Sequence, residues 1–234
     1  MIAERVAAVR ERIARAAARA GRDPAEITLV AVSKTHPPEA VREALAAGVG
    51  DFGENRVQEA EPKIAALADV RFALRWHLVG HLQGNKARKA AALFDRIHSV
   101  DDVLLARRLE HAAAENRIAV RVLVQVDLAG EPTKSGLDEA RLFPTLAVLR
   151  GFKSLRIEGL MILPPYAEDP ERTRPFFRRL RELRDQALDQ ELMLGGQLSM
   201  GMSHDLEVAV EEGATLVRVG TAIFGERKQP LPSS

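Results

Sequence analysis

Residues 120–126 read Val120-Arg121-Val122-Leu123-Val124-Gln125-Val126, a run nearly continuous in β-branched and aliphatic side chains. Such a run predicts a strand that is covered on both faces, because a strand with one wet face would alternate polar and apolar residues. Strands of this kind pair in parallel and are connected by helices. The stretch therefore predicts a parallel sheet enclosed by helices.

The alternation of strand and helix continues along the chain. Eight apolar runs are predicted as strands, at residues 27–33, 49–53, 74–79, 96–100, 119–127, 155–162, 196–200 and 215–219. Helical patterns lie at residues 38–47, 55–68, 84–93, 101–116, 138–150, 171–190 and 204–212. Eight units without a long linker favour a single (β/α)8 TIM barrel over an open doubly wound sheet, which needs no particular number of strands.

We expect one barrel domain over residues 1–234, with additions at both ends. Residues 1–20 predict an extra amphipathic helix, because apolar residues recur at helical spacing opposite a charged face. We expect it to pack on the barrel and not to anchor the chain in a membrane. The helix after the eighth strand is predicted to be short or missing, and residues 226–234 to form a flexible tail.

Composition narrows the classes of function. The 34 Lys and Arg residues nearly balance the 33 Asp and Glu residues, so the chain lacks the basic excess of proteins that bind nucleic acid or anionic membranes. The absence of Cys excludes disulfides, Cys-ligated zinc and thiol catalysis. The sequence shows neither a signal peptide nor an apolar stretch of the roughly 20 residues that span a bilayer. We therefore expect a cytoplasmic protein whose partners are small molecules.

Lys34 is the first candidate site residue. It directly follows the apolar run 27–33 and precedes the turn signal Thr35-His36-Pro37-Pro38. Side chains at the carboxyl ends of barrel strands converge on one face and build the site there. Apolar neighbours disfavour the ammonium form of a lysine, and the neutral amine condenses with an aldehyde to give a Schiff base. An ordinary solvated lysine at a strand end is the alternative.

Two loops predict a phosphate site. The segment Ser199-Met200-Gly201-Met202-Ser203 joins the seventh strand to a helix; its hydroxyls and a glycine that admits close approach suit an anion. Gly220 and Thr221 follow the eighth strand, and many barrels hold phosphate in the loops after strands seven and eight. Taken alone, the first segment is better explained as a serine-capped helix.

Arg218 is the third candidate, inside the eighth predicted strand. Alternation makes it face opposite to Val217 and Val219. If Arg218 points into the barrel, its guanidinium needs an acceptor, because an unpaired buried charge is too costly. A pyridine nitrogen would serve and would stay unprotonated beside an arginine, which makes a cofactor ring a poorer electron sink. A salt bridge to a carboxylate such as Glu54 is the alternative.

Seven motifs resemble the pyridoxal phosphate homeostasis proteins over essentially the whole chain; they lie at residues 31–35, 52–59, 76–86, 134–136, 159–161, 198–203 and 217–225. The resemblance implies a barrel similar to the N-terminal domain of alanine racemase and a bound pyridoxal 5'-phosphate (PLP). It implies that Lys34 holds PLP as an aldimine and that Arg218 faces the pyridine nitrogen. The remaining implied cofactor-binding residues are Ser199, Ser203, Gly220 and Thr221 at the phosphate, Met200 and Gly201 in the same loop, and Asn55 and His77 beside the ring.

The resemblance also implies a function without an established reaction. The protein would hold PLP and deliver it to apo-enzymes by transient contact, affecting amino-acid and keto-acid balance, and we expect it to act as a monomer. The alternative is a low-activity, racemase-like enzyme. Racemisation requires a second base opposite the lysine, which in alanine racemase is a tyrosine on a separate C-terminal domain. The sole tyrosine here, Tyr166, is predicted to be a surface loop residue, so the carrier is favoured.

Two further features could indicate chemical roles, but both are better explained without one. His77 and His81 lie four residues apart, but Gly80 stands between them and no helical His-Glu-x-x-His pattern accompanies them, so we expect no metal site. Lys134 follows the fifth strand near the predicted barrel mouth. It is either a transient second acceptor for the aldehyde or an ordinary charged loop residue, and the second interpretation is favoured.

Overall fold

The computed structural model describes residues 1–130 and 135–226. Eight strands form its centre: β1 (Thr28–Val32), β2 (Asp51–Glu54), β3 (Arg75–Leu78), β4 (Arg96–Val100), β5 (Val120–Asp127), β6 (Leu155–Ile162), β7 (Gln197–Ser199) and β8 (Leu216–Val219). Each strand pairs in parallel with the next, and β8 pairs with β1, which closes the barrel. The predicted barrel is therefore confirmed. The two-residue strand Leu137–Asp138, which pairs with β5, was not predicted.

The helices surround the barrel: α1 (Ile2–Arg19), α2 (Pro38–Ala46), α3 (Val57–Ala66), α4 (Ala87–Leu93), α5 (Val103–Asn116), α6 (Glu139–Leu149), α7 (Arg174–Asp189), α8 (Leu206–Glu211) and α9 (Thr221–Phe224). Short 3-10 helices occupy Pro24–Glu26, Ala68–Ala73, Gly84–Lys86 and Pro170–Thr173. The extra N-terminal helix is confirmed: α1 buries Val6, Val9 and Ile13 and packs against α2, α8 and α9. The predicted short last helix is α9.

Two predictions fall on residues outside the described ranges. These are the role of Lys134 and the tail beyond residue 226. Among the helices of the described ranges, none has both the length and the apolar character needed to cross a membrane.

The buried residues form two separate layers. The larger layer lies between the strands and the helices, where the rings of Phe52 and Trp76 pack with centroids 5.8 Å apart. A smaller apolar cluster fills part of the barrel interior and contains Val30, Leu123, Met161 and Leu216. Several strand side chains that are buried with it are polar, among them Asp51, His77, His98, Ser199 and Arg218. Polar groups therefore fill the rest of the interior.

Candidate functional site

A tight turn places Lys34 at the carboxyl end of β1. The N–H of His36 donates to the carbonyl of Ser33 at 3.0 Å, which leaves Lys34 and Thr35 at the two central positions. Thr35 has a φ of 67°, a left-handed conformation that is unfavourable for a β-branched residue. Strain of this kind is found mainly where function requires a particular backbone path. The turn leaves Lys34 half-buried at the wall of a cavity.

The cavity has a volume of about 550 Å³ and lies at the carboxyl end of the barrel. It brings together six of the predicted residues, which are Lys34, Asn55, Ser203, Arg218, Gly220 and Thr221. Within the described part of the chain, its lining contains basic side chains but no Asp or Glu. The cavity is therefore suited to an anionic ligand.

Three histidines that were not predicted to bind the cofactor also line the cavity. His36 stacks on Phe224 with ring centroids 5.0 Å apart, while His81 and His204 are exposed at the rim. His36 follows Lys34 by two residues, and the other two follow β3 and β7. The rule that places a barrel's site at the carboxyl ends of its strands already points to His81 and could have selected His36 and His204 as well.

Close backbone packing fixes Asn55 at the cavity wall. Gly80 follows β3 and lies so near that a Cβ added to it would overlap the backbone of Asn55. Only a glycine allows the loops after β2 and β3 to approach each other this closely. Asn55 itself is half-buried.

The loops after β7 and β8 are tied together beside the cavity. The Oγ of Ser203 accepts a hydrogen bond from the backbone N–H of Ala222 at 3.3 Å. Within the first loop, the carboxylate of Asp205 accepts from the N–H of Met202 at 2.6 Å. Burial raises the pKa of Asp205, and this hydrogen bond opposes the shift. The hydroxyls of Ser203 and Thr221 consequently lie at one cavity, as predicted for a phosphate site.

Arg218 reaches the cavity from inside the barrel and is only 4% exposed. Its Nη1 donates to the Oγ of Ser199 at 2.5 Å and its Nη2 to the carbonyl of Ile162 at 2.8 Å. Burial lowers the pKa of Arg218 to about 10, although nearby Asp205 opposes the shift. Both acceptors are neutral, and no Asp or Glu oxygen in the described ranges lies within ion-pairing distance.

The predicted alternative partner of Arg218 is therefore wrong. Glu54 instead pairs with the buried amine of Lys63 at 2.6 Å and accepts from the Oγ of Ser33 at 2.7 Å. Both contacts lie on the β1–β2 side of the barrel, so Glu54 is not the partner of the guanidinium.

Four predicted cofactor-binding residues do not line the cavity. Ser199 is fully buried and its hydroxyl is already held between Arg218 and His98, so a direct phosphate contact does not fit. His77 is 1% exposed inside the barrel between Asp51 and His98, not beside a ligand. Met200 and Gly201 are buried as well.

Gly201 does require its small size, but for a different reason from the predicted approach of a ligand. Its φ is 89°, and a Cβ at this position would lie 2.5 Å from the Cβ of Ala209 in α8. The close neighbour is therefore a helix of the protein. This packing holds the loop after β7 against the barrel.

We expect Gly201→Ala to lower the free energy of unfolding by about 2–4 kcal/mol, because backbone strain and overpacking add. Urea denaturation followed by circular dichroism measures the change. The matched control is Gly21→Ala, since Gly21 has a φ of 65° with nothing within 4 Å of its Cβ position. We expect the control to lose about 1 kcal/mol from strain alone. Equal losses in the two variants would show that the contact with Ala209 contributes nothing.

His77 and His81, which lie four residues apart in the sequence, do not converge on a common point. His81 lies at the cavity rim with its Nδ1 3.4 Å from a carboxylate oxygen of Asp101, whereas His77 faces the barrel interior. In residues 1–130 and 135–226, no group of three or more His, Cys, Asp or Glu side chains is arranged to hold a metal ion.

Comparison with known proteins gives four similarities: one family model, two curated relatives and one solved structure. The family model described as alanine racemase, N-terminal domain, matches residues 5–228. The pyridoxal phosphate homeostasis protein of Pseudomonas aeruginosa is 47% identical over 100% of this chain and 99% of its own length, and that of Aquifex aeolicus is 45% identical over 96% and 98%. The structure of PipY from Synechococcus elongatus PCC7942 with PLP bound superposes with a TM-score of 0.86, at 42% identity over 96% of this chain and 100% of PipY.

Proposed function

The chain belongs to the pyridoxal phosphate homeostasis protein family, and we propose that it binds PLP in the cavity beside Lys34 and acts as an intracellular carrier of that cofactor. One observation carries the proposal. A half-buried lysine and a buried arginine share a cavity with the hydroxyls of Ser203 and Thr221, and no Asp or Glu of the described ranges joins them. That combination suits a ligand that has an aldehyde, an anion and a ring acceptor.

The residues present fit PLP group by group. When bound, PLP supplies an aldehyde that reacts with amines and a phosphate that carries negative charge. Lys34 provides the amine, and Ser203, Gly220 and Thr221 provide the phosphate loops. Arg218 has only neutral acceptors among the described residues, and a buried guanidinium favours a further acceptor such as a pyridine nitrogen. Asn55 and His36 would form the wall.

Access to the cavity supports a carrier. Thr221, His81 and His204 are exposed at the rim, so ligand can enter and leave without unfolding of the barrel. The chain would take up PLP, release it to apo-enzymes through transient contact and act as a monomer in the cytoplasm. Lys34 would retain the ligand by its covalent bond, and the phosphate loops would set how quickly it leaves.

The alternative, a racemase-like enzyme, requires a second base in the same cavity. Tyr166 is 80% exposed, and its ring packs against that of His204 in a tilted arrangement with centroids 5.5 Å apart. It lines a neighbouring cavity of about 350 Å³ and is absent from the lining around Lys34. Because Tyr166 lies outside the cavity around Lys34, its position favours the carrier.

We expect Ser203→Ala and Thr221→Ala each to raise the Kd for PLP by about 10- to 100-fold, because a hydrogen bond to a charged group contributes about 1.5–3 kcal/mol. Fluorescence titration of the apo-protein measures the Kd. Ser154→Ala is the control, since Ser154 is a half-buried serine immediately before β6, at the opposite end of the barrel. If both cavity variants bind PLP as tightly as the control does, the phosphate lies elsewhere.

A further inference from the structure

Five buried side chains form a continuous hydrogen-bonded chain through the barrel. The Nε2 of His77 lies 3.0 Å from the Oδ1 of Asp51, and its Nδ1 lies 2.9 Å from the Nε2 of His98. The Nδ1 of His98 lies 2.8 Å from the Oγ of Ser199, which accepts from the Nη1 of Arg218 at 2.5 Å. We name these five residues the buried chain. It begins at the cavity and ends on the first residue of β2.

The far end of the buried chain is charged and anchored. Asp51 is 6% exposed, and its two carboxylate oxygens accept from Arg75, at 2.8 Å from Nε and 2.6 Å from Nη2. Burial alone would raise the pKa of Asp51, but the bonds from His77 and Arg75 prevail and lower it to about 2. Asp51 is thus ionised at neutral pH and acts only as an acceptor.

The ionised carboxylate fixes every donor along the buried chain. Because Asp51 only accepts, the Nε2 of His77 carries the proton. Burial lowers the pKa of His77, and the hydrogen bond and charge of Asp51 oppose this shift without reversing it. Burial also lowers the pKa of His98, and His77 and Arg218 lower it further, so both rings are neutral at pH 7. The bare Nδ1 of His77 then accepts from His98, and the bare Nδ1 of His98 accepts from the hydroxyl of Ser199. Ser199 has used its proton and can only accept from Arg218.

All donors therefore point in one direction, from Arg218 towards Asp51. The reverse direction fails because Arg218 has no acceptor atom to offer Ser199. Nor do protons travel along the chain, since Asp51 at one end stays ionised and Arg218 at the other end keeps its proton. The network is an orienting device and not a relay.

We propose that Asp51, at the opposite end of the barrel from the cavity, is a positioning residue for the cofactor: through His77, His98 and Ser199 it holds the Arg218 guanidinium in place at the ligand. The inference rests on the proposed function, because it assigns Arg218 to the ring of PLP. Ser199, predicted as a phosphate ligand, takes this supporting role instead. This role explains why His77, His98 and Ser199 are polar although they are buried beside an apolar cluster in the barrel interior.

The test combines an isosteric change with a double-mutant cycle. Asp51→Asn introduces an amide that can donate to His77, which favours the opposite tautomer of that ring. We expect the nitrogen-15 NMR spectrum of the apo-protein to show both buried histidines as neutral Nε2–H tautomers, and the variant to shift His77 from that form. We expect the Kd for PLP to rise about tenfold in Asp51→Asn. At metal sites, mutation of a residue that orients a ligand-binding side chain without touching the metal itself lowers affinity by about 10- to 100-fold.

The cycle separates positioning from general stability. Ser199→Ala cuts the buried chain beside Arg218, so adding Asp51→Asn to it should raise the Kd no further. Glu212→Gln is the control, because Glu212 is 4% exposed and paired with Arg174, Arg178 and Arg181 outside the barrel. We expect it to lower the melting temperature and to leave the Kd and the histidine signals unchanged.

Four results would overturn the inference. A charged buried histidine in the wild type at pH 7 would refute the assigned direction. An unchanged Kd in Asp51→Asn, or a full additional loss in the double variant, would refute the positioning role. A wild type with the expected histidine signals that does not bind PLP would refute the proposed function, and the positioning role with it, while the hydrogen-bonded chain itself would stand.

Discussion

The Lys34→Ala variant is expected to form no PLP adduct at position 34 when it is mixed with PLP and reduced with borohydride. The wild type is expected to carry one adduct, on the peptide that contains Lys34. The side chain is half-buried at the cavity wall in a turn whose strained Thr35 fixes the backbone path. No other lysine of the described ranges lines that cavity. Without the amine, only the non-covalent contacts of the phosphate loops and Arg218 remain.

Two lysines serve as matched comparisons for that experiment. Lys89→Ala removes a surface amine paired with Glu61, and it should leave the adduct unchanged. Lys134→Ala tests the second acceptor that the sequence suggests. We expect the adduct on Lys34 in both variants. An equal adduct in Lys34→Ala, found on Lys134 or on scattered surface lysines, would show that Lys34 is not the attachment point.

Arg218→Met is expected to weaken PLP binding by about 10- to 100-fold without lowering the stability of the apo-protein. The affinity falls because a charged hydrogen bond to the ligand contributes about 1.5–3 kcal/mol. Stability is retained because the guanidinium is buried beside neutral acceptors, and a buried charge without an opposite charge is costly. Methionine fills a similar volume with no charge to desolvate. PLP titration and thermal unfolding of the apo-protein measure the two effects.

Arg22→Met is the control for the arginine experiment. Arg22 is partly buried and donates to the carbonyl of Val210 at 2.7 Å, but it lies outside the barrel and pairs with Glu26. We expect this variant to lose stability and to keep its PLP affinity. If Arg218→Met instead binds PLP normally and unfolds at a lower temperature, Arg218 is a structural residue and the ring partner lies elsewhere.

The barrel could be predicted from the sequence because its strands have a recognisable amino-acid composition. Runs such as 120–126 and 155–162 are long, apolar and bounded by helical patterns, and they coincide with β5 and β6. Lys34 was predicted at the carboxyl end of a strand, and alternation predicted that Arg218 faces opposite to two valines; the structure has both residues at the cavity. The short strand Leu137–Asp138 has no such pattern and depends on its neighbour β5.

The roles of Ser199 and His77 could not be predicted from their positions in the sequence of their strands. Ser199 ends β7, which predicts the cavity face, yet its hydroxyl lies one layer deeper and supports Arg218. How deep a side chain lies depends on the stagger between neighbouring strands, and the sequence does not specify that stagger. Asp51 and His98 could have been predicted as members of a buried hydrogen-bonded network. Each is a polar residue within an apolar strand, and such residues need a buried partner.

The most direct test of the central claim is a titration of the wild-type apo-protein with PLP, followed by visible absorbance and then by borohydride reduction and peptide mapping. We expect saturation at one PLP per chain, a visible band from the bound cofactor and all of the reduced label in the peptide that contains Lys34. Absence of saturable binding, or a label spread over surface lysines, would contradict the assignment of this cavity to PLP.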